Sequence, residues 1–160
     1  MEKLFIVCVD DQREVLSTLT QNLAIFEKHV VIEDCETANE ALEVMDEIDA
    51  DGDYLALIIS DHVMPGKNGV EYLTEVKNDE RFLKTKKILL TGLATHKDTI
   101  EAINNAGIDQ YLEKPWDGDH LIKVVKELVT KFILSVGLDY KELMEIIDQE
   151  TLYDSLKSRT

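Results

Sequence analysis

YLALIISDHVMPGKNGVEYLTEV, residues 54–76, carries an apolar run, an acid at its end and a helical stripe, in that order. Tyr54 to Ile59 is an unbroken apolar run of strand length, rich enough in aliphatic residues to be buried from both sides. Asp61 stands at its carboxyl end, and Val70, Leu73 and Val76 then recur at helical spacing.

The same unit recurs on both sides of this stretch. Further short apolar runs lie at 4–9, 30–32, 88–91 and 108–112. Between them fall Val15, Leu19, Leu23 and Phe26, then Ala38, Ala41, Leu42, Met45 and Ile48, both at helical spacing. Ile100, Ile103 and Ala106 mark a fourth helix, and Leu121, Val124, Val125, Leu128 and Phe132 a long fifth. Strand and helix thus alternate five times. Such alternation predicts an α/β fold with a parallel sheet, because right-handed crossovers lay helices on both faces and bury the strands. In an open sheet of this kind ligands bind beyond the carboxyl ends of the strands, so the residues just after each run carry the function.

The chain of 160 residues suits one compact domain able to hide roughly two-thirds of its unfolded surface. Seventeen basic against thirty-three acidic residues give a formal charge of -16. That charge repels nucleic-acid backbones and anionic lipid, so direct nucleic-acid binding is not expected. The apolar runs are far short of the ~20 residues that span a membrane, and Met1-Glu2-Lys3 does not open a secretory signal. Cys8 and Cys35 do not form a disulfide framework of the kind small secreted domains use. A cytoplasmic protein is expected.

Asp10 and Asp11 follow the first strand, Asp61 ends the third, Thr91 closes the fourth, and Lys114 comes two residues after the fifth. Any one of these aspartates alone is a common helix cap. Converging on one sheet edge, they are more than caps: two carboxylates ~4 Å apart repel by roughly 4 kcal/mol at a protein-like dielectric of about 20, so three need a cation. An all-oxygen cluster suits Mg²⁺, Lys114 can neutralise a bound phosphoryl group, and Thr91 can donate to one of its oxygens.

The motifs VDD (9–11), SDHVMPGKNG (60–69), LLTG (89–92) and YLEKPW (111–116), in this order, resemble the receiver domain of two-component response regulators over residues 4 to about 130. Trp116 departs from the phenylalanine usual there. The resemblance implies a doubly wound, flavodoxin-like five-stranded sheet in the order 2-1-3-4-5. It divides the chain into a receiver, 1–136, and a C-terminal helical extension, 137–160. It implies that Asp61 accepts a phosphoryl group from a sensor histidine kinase or histidine phosphotransfer protein. Asp11, Asp61 and the backbone carbonyl of Val63 would ligate Mg²⁺ directly, with Asp10 reaching it through water. Thr91 and Tyr111 match the family's switch pair, and Lys114-Pro115 is expected to be cis. Pro65, Gly66 and Gly69 would shape the turn after the acceptor. The output surface would be the fourth helix, fifth strand and fifth helix, docking a downstream protein or domain. Val63 and Leu93 occupy the positions that tune phosphate lifetime, and both are apolar, so slow self-dephosphorylation is expected. The function implied is a binding and signalling module, not an enzyme. The alternative is a receiver cut from a larger regulated output enzyme.

Other features point elsewhere only weakly. Asp49, Asp51 and Asp53 fall short of a calcium loop, since Gly52 is misplaced and Ser60 stands where the bidentate glutamate belongs. A magnesium-dependent aspartyl phosphatase would want a second aspartate at Val63. His29, His62, His96 and His120 are scattered without ligand spacing. Gly137 can stop the fifth helix, and Asp139 with Glu142 predicts the start of another, with Tyr140, Leu143, Met144 and Ile147 as its apolar face. The fifth helix carries more apolar surface than one sheet face needs, including Val129, Phe132, Ile133 and Val136. The tail folding back on it, a homodimer seam and a linker to an effector all remain open at this level.

Overall fold

The computed structural model describes residues 2–92, 100 and 104–158. Its strands are β1 (Leu4–Val9), β2 (Val30–Cys35), β3 (Tyr54–Asp61), β4 (Lys86–Thr91) and β5 (Gln110–Glu113). They form one sheet in the order β2-β1-β3-β4-β5, and every neighbouring pair is parallel. The α-helices with described bounds are α1 (Arg13–Asn22), α2 (Ala38–Ala50), α3 (Gly69–Lys77), α4 (Gly118–Val136) and α5 (Gln149–Ser158). Ile103, central to the fourth helical stripe, lies outside the described residues, so α4 is the long fifth helix expected above.

Each strand sends alternate side chains to opposite faces. Ile6, Cys8, Leu57 and Ile59 join Leu16, Leu19, Leu128 and Phe132 on the α1/α4 side. Val7, Val9 and Ile58 join Ala41, Met45, Tyr72 and Leu73 on the α2/α3 side. Helices on both faces explain why β3 is buried from Leu55 to Asp61 and needs a continuous apolar run.

Several boundaries differ from expectation for local reasons. β2 continues through Glu33, Asp34 and Cys35, because it is an edge strand whose polar residues stay half-exposed while its ladder follows β1 to Val9. Leu23 and Phe26 are buried as expected but in a 3-10 turn after α1. Ile108 packs on the α2/α3 side before β5 begins.

The tail folds back onto α4, as in the first of the three readings given above. Gly137 adopts φ 73° and ends α4, with the Leu138 N–H donating to the Ile133 carbonyl. The helix expected to start at Asp139 does not form there. Asp139 Oδ1 instead accepts from the Lys141 N–H at 3.0 Å, opening a 3-10 turn over Lys141–Ile146. The α-helix begins only at Gln149, where Asp148 Oδ2 accepts from the Thr151 N–H at 3.0 Å. The reason is burial: successive Ile146 and Ile147 both enter the α1/α4 core, and Ile147 takes an extended conformation that reorients the chain. Leu152 joins that core, whereas Met144 stays exposed. Among the described residues, no helix is long and apolar enough to cross a membrane.

Candidate functional site

The sheet brings Asp10, Asp11, Asp61 and Lys114 together at the carboxyl ends of its strands. The Asp10 N–H donates to the Cys35 carbonyl at 3.1 Å, fixing the chain just past β1. Asp10 is fully buried: Oδ1 accepts from the Gln12 N–H at 2.8 Å and Oδ2 from Lys114 Nζ at 2.8 Å. Asp61, the last residue of β3, places Oδ1 2.9 Å from the same amine. Asp11 is exposed. One carboxylate oxygen from each of Asp10, Asp11 and Asp61 lies within 4.8 Å of the other two.

At that separation each pair of anions repels by at least about 3.5 kcal/mol at an effective dielectric of about 20. One ammonium faces three carboxylates, so the charge is not balanced by the protein alone. Burial raises the Asp61 carboxyl above its ordinary range and the charge of Asp10 raises it further, against the pull of Lys114. Burial alone would lower the Lys114 amine, but its bonds to Asp10 and Asp61 more than offset this and raise it. The donor set therefore fits a hard divalent cation: oxygen ligands only, a surplus of negative charge, and one exposed carboxylate beside two buried ones.

Thr91 ends β4 beside Asp61 and is buried; its carbonyl accepts the Lys114 N–H at 3.2 Å. Tyr111 sits on the edge strand β5, paired with Leu89 in the β4–β5 register, and is 46% exposed. The Val63 side chain is exposed, and Leu93 lies outside the described residues. The Lys114-Pro115 bond is cis, as expected. Gly66 takes φ 77°, the left-handed region that favours glycine. Gly69 is required for a different reason. A Cβ there would overlap the Asp61 carbonyl oxygen, so only glycine lets α3 start against the end of β3.

Three supports were missed in sequence. Asn68 and Glu71 form a reciprocal capping box at the start of α3, with 2.8 and 3.2 Å bonds. The N-x-x-E spacing was its signal. Arg13 bridges Asp34 and Glu36 at 2.6 and 2.9 Å, and Trp116 bonds Asn22, both across distances no local pattern reveals. Of the histidines, His62 donates its backbone N–H to Leu90, extending the β3–β4 ladder, and His96 lies outside the described residues. Both cysteines are free and buried, and burial pushes the Cys35 thiol up to about 12, which makes it unreactive.

A five-stranded 2-1-3-4-5 sheet with an acidic pocket and a lysine at its carboxyl edge defines the class as doubly wound, flavodoxin-like α/β domains with a site at the strand ends. The family model for the response regulator receiver domain matches residues 6–126, and the chain belongs to that family. Its function is that of a receiver in two-component signalling. The hydrogenase transcriptional regulatory protein HoxA of Cupriavidus necator is 43% identical over 75 residues, covering 47% of this chain and 15% of HoxA. Response regulator Rre1 of Synechocystis is 33% identical over 96 residues, covering 59% of this chain and 41% of Rre1. The chain thus spans less than half the length of these curated relatives. The receiver domain of a Pseudomonas fluorescens HD domain-containing protein superposes with TM-score 0.72 at 26% identity, over 86% of this chain and 94% of that one.

Proposed function

We propose that Asp61 accepts a phosphoryl group, with Mg²⁺, from a phosphohistidine on a sensor kinase or histidine phosphotransfer protein. The observation that carries this reading is the shared amine: Lys114 Nζ lies 2.8 Å from Asp10 and 2.9 Å from Asp61, inside a cluster of three carboxylates. An Asp61 oxygen attacks phosphorus, the P–N bond of the donor breaks, and its electron pair leaves with the imidazole nitrogen. The product is an acyl phosphate on Asp61. Lys114 neutralises phosphoryl charge, and the Thr91 hydroxyl donates to one of the oxygens. Asp11, Asp61 and the Val63 carbonyl would hold the cation, with Asp10 reaching it through water. When bound, Mg²⁺ offsets the charge of the carboxylates and of the phosphoryl oxygens.

Phosphorylation adds about -1.5 to -2 charge, enough to draw Thr91 toward the phosphate and let exposed Tyr111 turn inward. That movement changes the surface formed by β5, α4 and the segment before β5, where an output protein, an output domain or a second copy docks. We assign 1–136 to the receiver and 137–160 to a helical extension. The module acts by docking in the cytoplasm rather than by turnover. With apolar Val63 and Leu93 unable to orient water, the acyl phosphate is long-lived; a Val63→Asn, Leu93→Glu double variant that loses phosphate no faster than the parent overturns this.

A second reading, prompted by relatives of which the chain spans only 15% (HoxA) and 41% (Rre1), is a receiver cut from a larger regulated output enzyme. Any nucleic-acid contact or output chemistry then belongs to the missing part, and a reading frame continuing past Thr160 supports it. The acceptor assignment is tested by incubating parent and Asp61→Ala with Mg²⁺ and acetyl phosphate, reading intact mass and sizing. The parent gains one phosphoryl mass and the variant gains none; equal masses in the two sink the assignment.

A further inference from the structure

The Lys114 amine serves two carboxylates at once, yet it sits on a flexible four-carbon stem in a loop between β5 and α4. Something must hold that loop. On one side the Lys114 N–H donates to the Thr91 carbonyl at 3.2 Å. On the other, the Trp116 indole N–H donates to Asn22 Oδ1 at 2.9 Å, in a part-buried contact spanning 94 residues of sequence. Trp116 also packs on the α1/α4 core. Asn22 is the last residue of α1, and its amide reaches past Trp116 to Gly118, the first residue of α4. A Cβ at 118 would lie only 3.1 Å from Asn22 Nδ2, so glycine there leaves the amide its place. One side chain from another helix thus bonds residue 116 and lies close against residue 118.

We infer that Asn22 and Trp116 are positioning residues, a strut that ties the loop after Lys114 to α1 and so fixes the amine over Asp61. The inference rests on the reading of Asp61 as acceptor. Phenylalanine at 116 would fill the aromatic volume but has no N–H to give. A neutral hydrogen bond of this kind corresponds to roughly a fivefold change in an equilibrium. An effect of about that size, threefold to tenfold, is expected on the limiting rate of phosphorylation.

Trp116 is the sole tryptophan, so fluorescence excited selectively at the indole, beyond the absorption of the five tyrosines, reports this loop. The experiment compares parent, Asn22→Leu, Asn22→Asp and Trp116→Phe, following intact mass over time at several acetyl phosphate concentrations with saturating Mg²⁺. Asn22→Leu and Trp116→Phe should lower the limiting rate while leaving the half-saturating donor concentration unchanged. Asn22→Asp keeps an acceptor for the indole and should restore both the rate and the parent emission maximum. Folded Asn22→Leu or Trp116→Phe protein that takes phosphate at the parent rate overturns the strut. So does an Asn22→Asp protein as slow as Asn22→Leu, since lost packing then explains both. If Asn22→Leu does not fold, Trp116→Phe and Asn22→Asp decide alone. A parent that takes no phosphate defeats the acceptor reading instead, and is told apart at the first control.

Discussion

The pocket at the strand ends and the tail beyond α4 are held by opposite kinds of force. In the pocket, Asp10, Asp61 and Lys114 are brought from three separate strand ends, and each bond has one geometry that satisfies it. The tail is held by Ile146, Ile147 and Leu152 entering the α1/α4 core, with one backbone N–H, that of Asp148, donating to Thr130 Oγ1 at 2.8 Å. Thr130 is twelve residues into α4, roughly 18 Å along its axis from the end that faces the pocket. Buried charge tolerates few arrangements, because an unpaired ion costs several kcal/mol. Apolar burial is non-directional and accepts many. The pocket is therefore a chemical specification and the tail a packing solution, and the two should respond to different perturbations.

The sharpest way to break that contrast is at Lys114. Lys114→Ala should slow phosphate uptake from acetyl phosphate by about a hundredfold, the scale on which one preorganised charge-stabilising group is lost. Time-resolved intact mass measures it, and an unchanged rate would erase the chemical half of the comparison. Ile147→Ala, in the fully buried part of the tail, should cost about 2–4 kcal/mol in urea unfolding yet leave the phosphorylation rate of folded protein at the parent value. A rate that falls with the stability would mean that tail and pocket are one unit. Thr130→Val keeps the volume but removes the acceptor for the Asp148 N–H, and about 1–2 kcal/mol should be lost in the same assay. The smallest effect belongs to Glu145, which pairs with Lys28 at 3.3 Å and approaches His29 at 3.6 Å on the surface. Glu145→Gln should leave the urea midpoint in place, because exposed ion pairs contribute little. A clear shift would show that charge, and not only apolar burial, docks the tail.

The same contrast separates what could be read in advance from what could not. Asp10, Asp11, Asp61, Thr91 and Lys114 were legible because each follows an apolar run, and a parallel sheet aligns the carboxyl ends of its strands. The extra residues of β2 were not, since Glu33 and Asp34 are tolerated only at a sheet edge. Gly69 was placed in the turn after β3, but the reason it must be glycine, clearance from the Asp61 carbonyl, was not legible. The tail was foreseen as helical but its helix was placed too early, as a capping signal at Asp139 lost to the burial of two adjacent isoleucines.

By itself, the order of residues determined the alternation of strand and helix, hence the parallel sheet and the identity of the acids and amine at its edge. These are period and type, which are local. Only the tertiary structure decided that one amine serves two carboxylates, that Asn22 clasps the loop at Trp116, and that the tail returns to α4. Those depend on which distant surfaces meet, and no short-range pattern carries that distance.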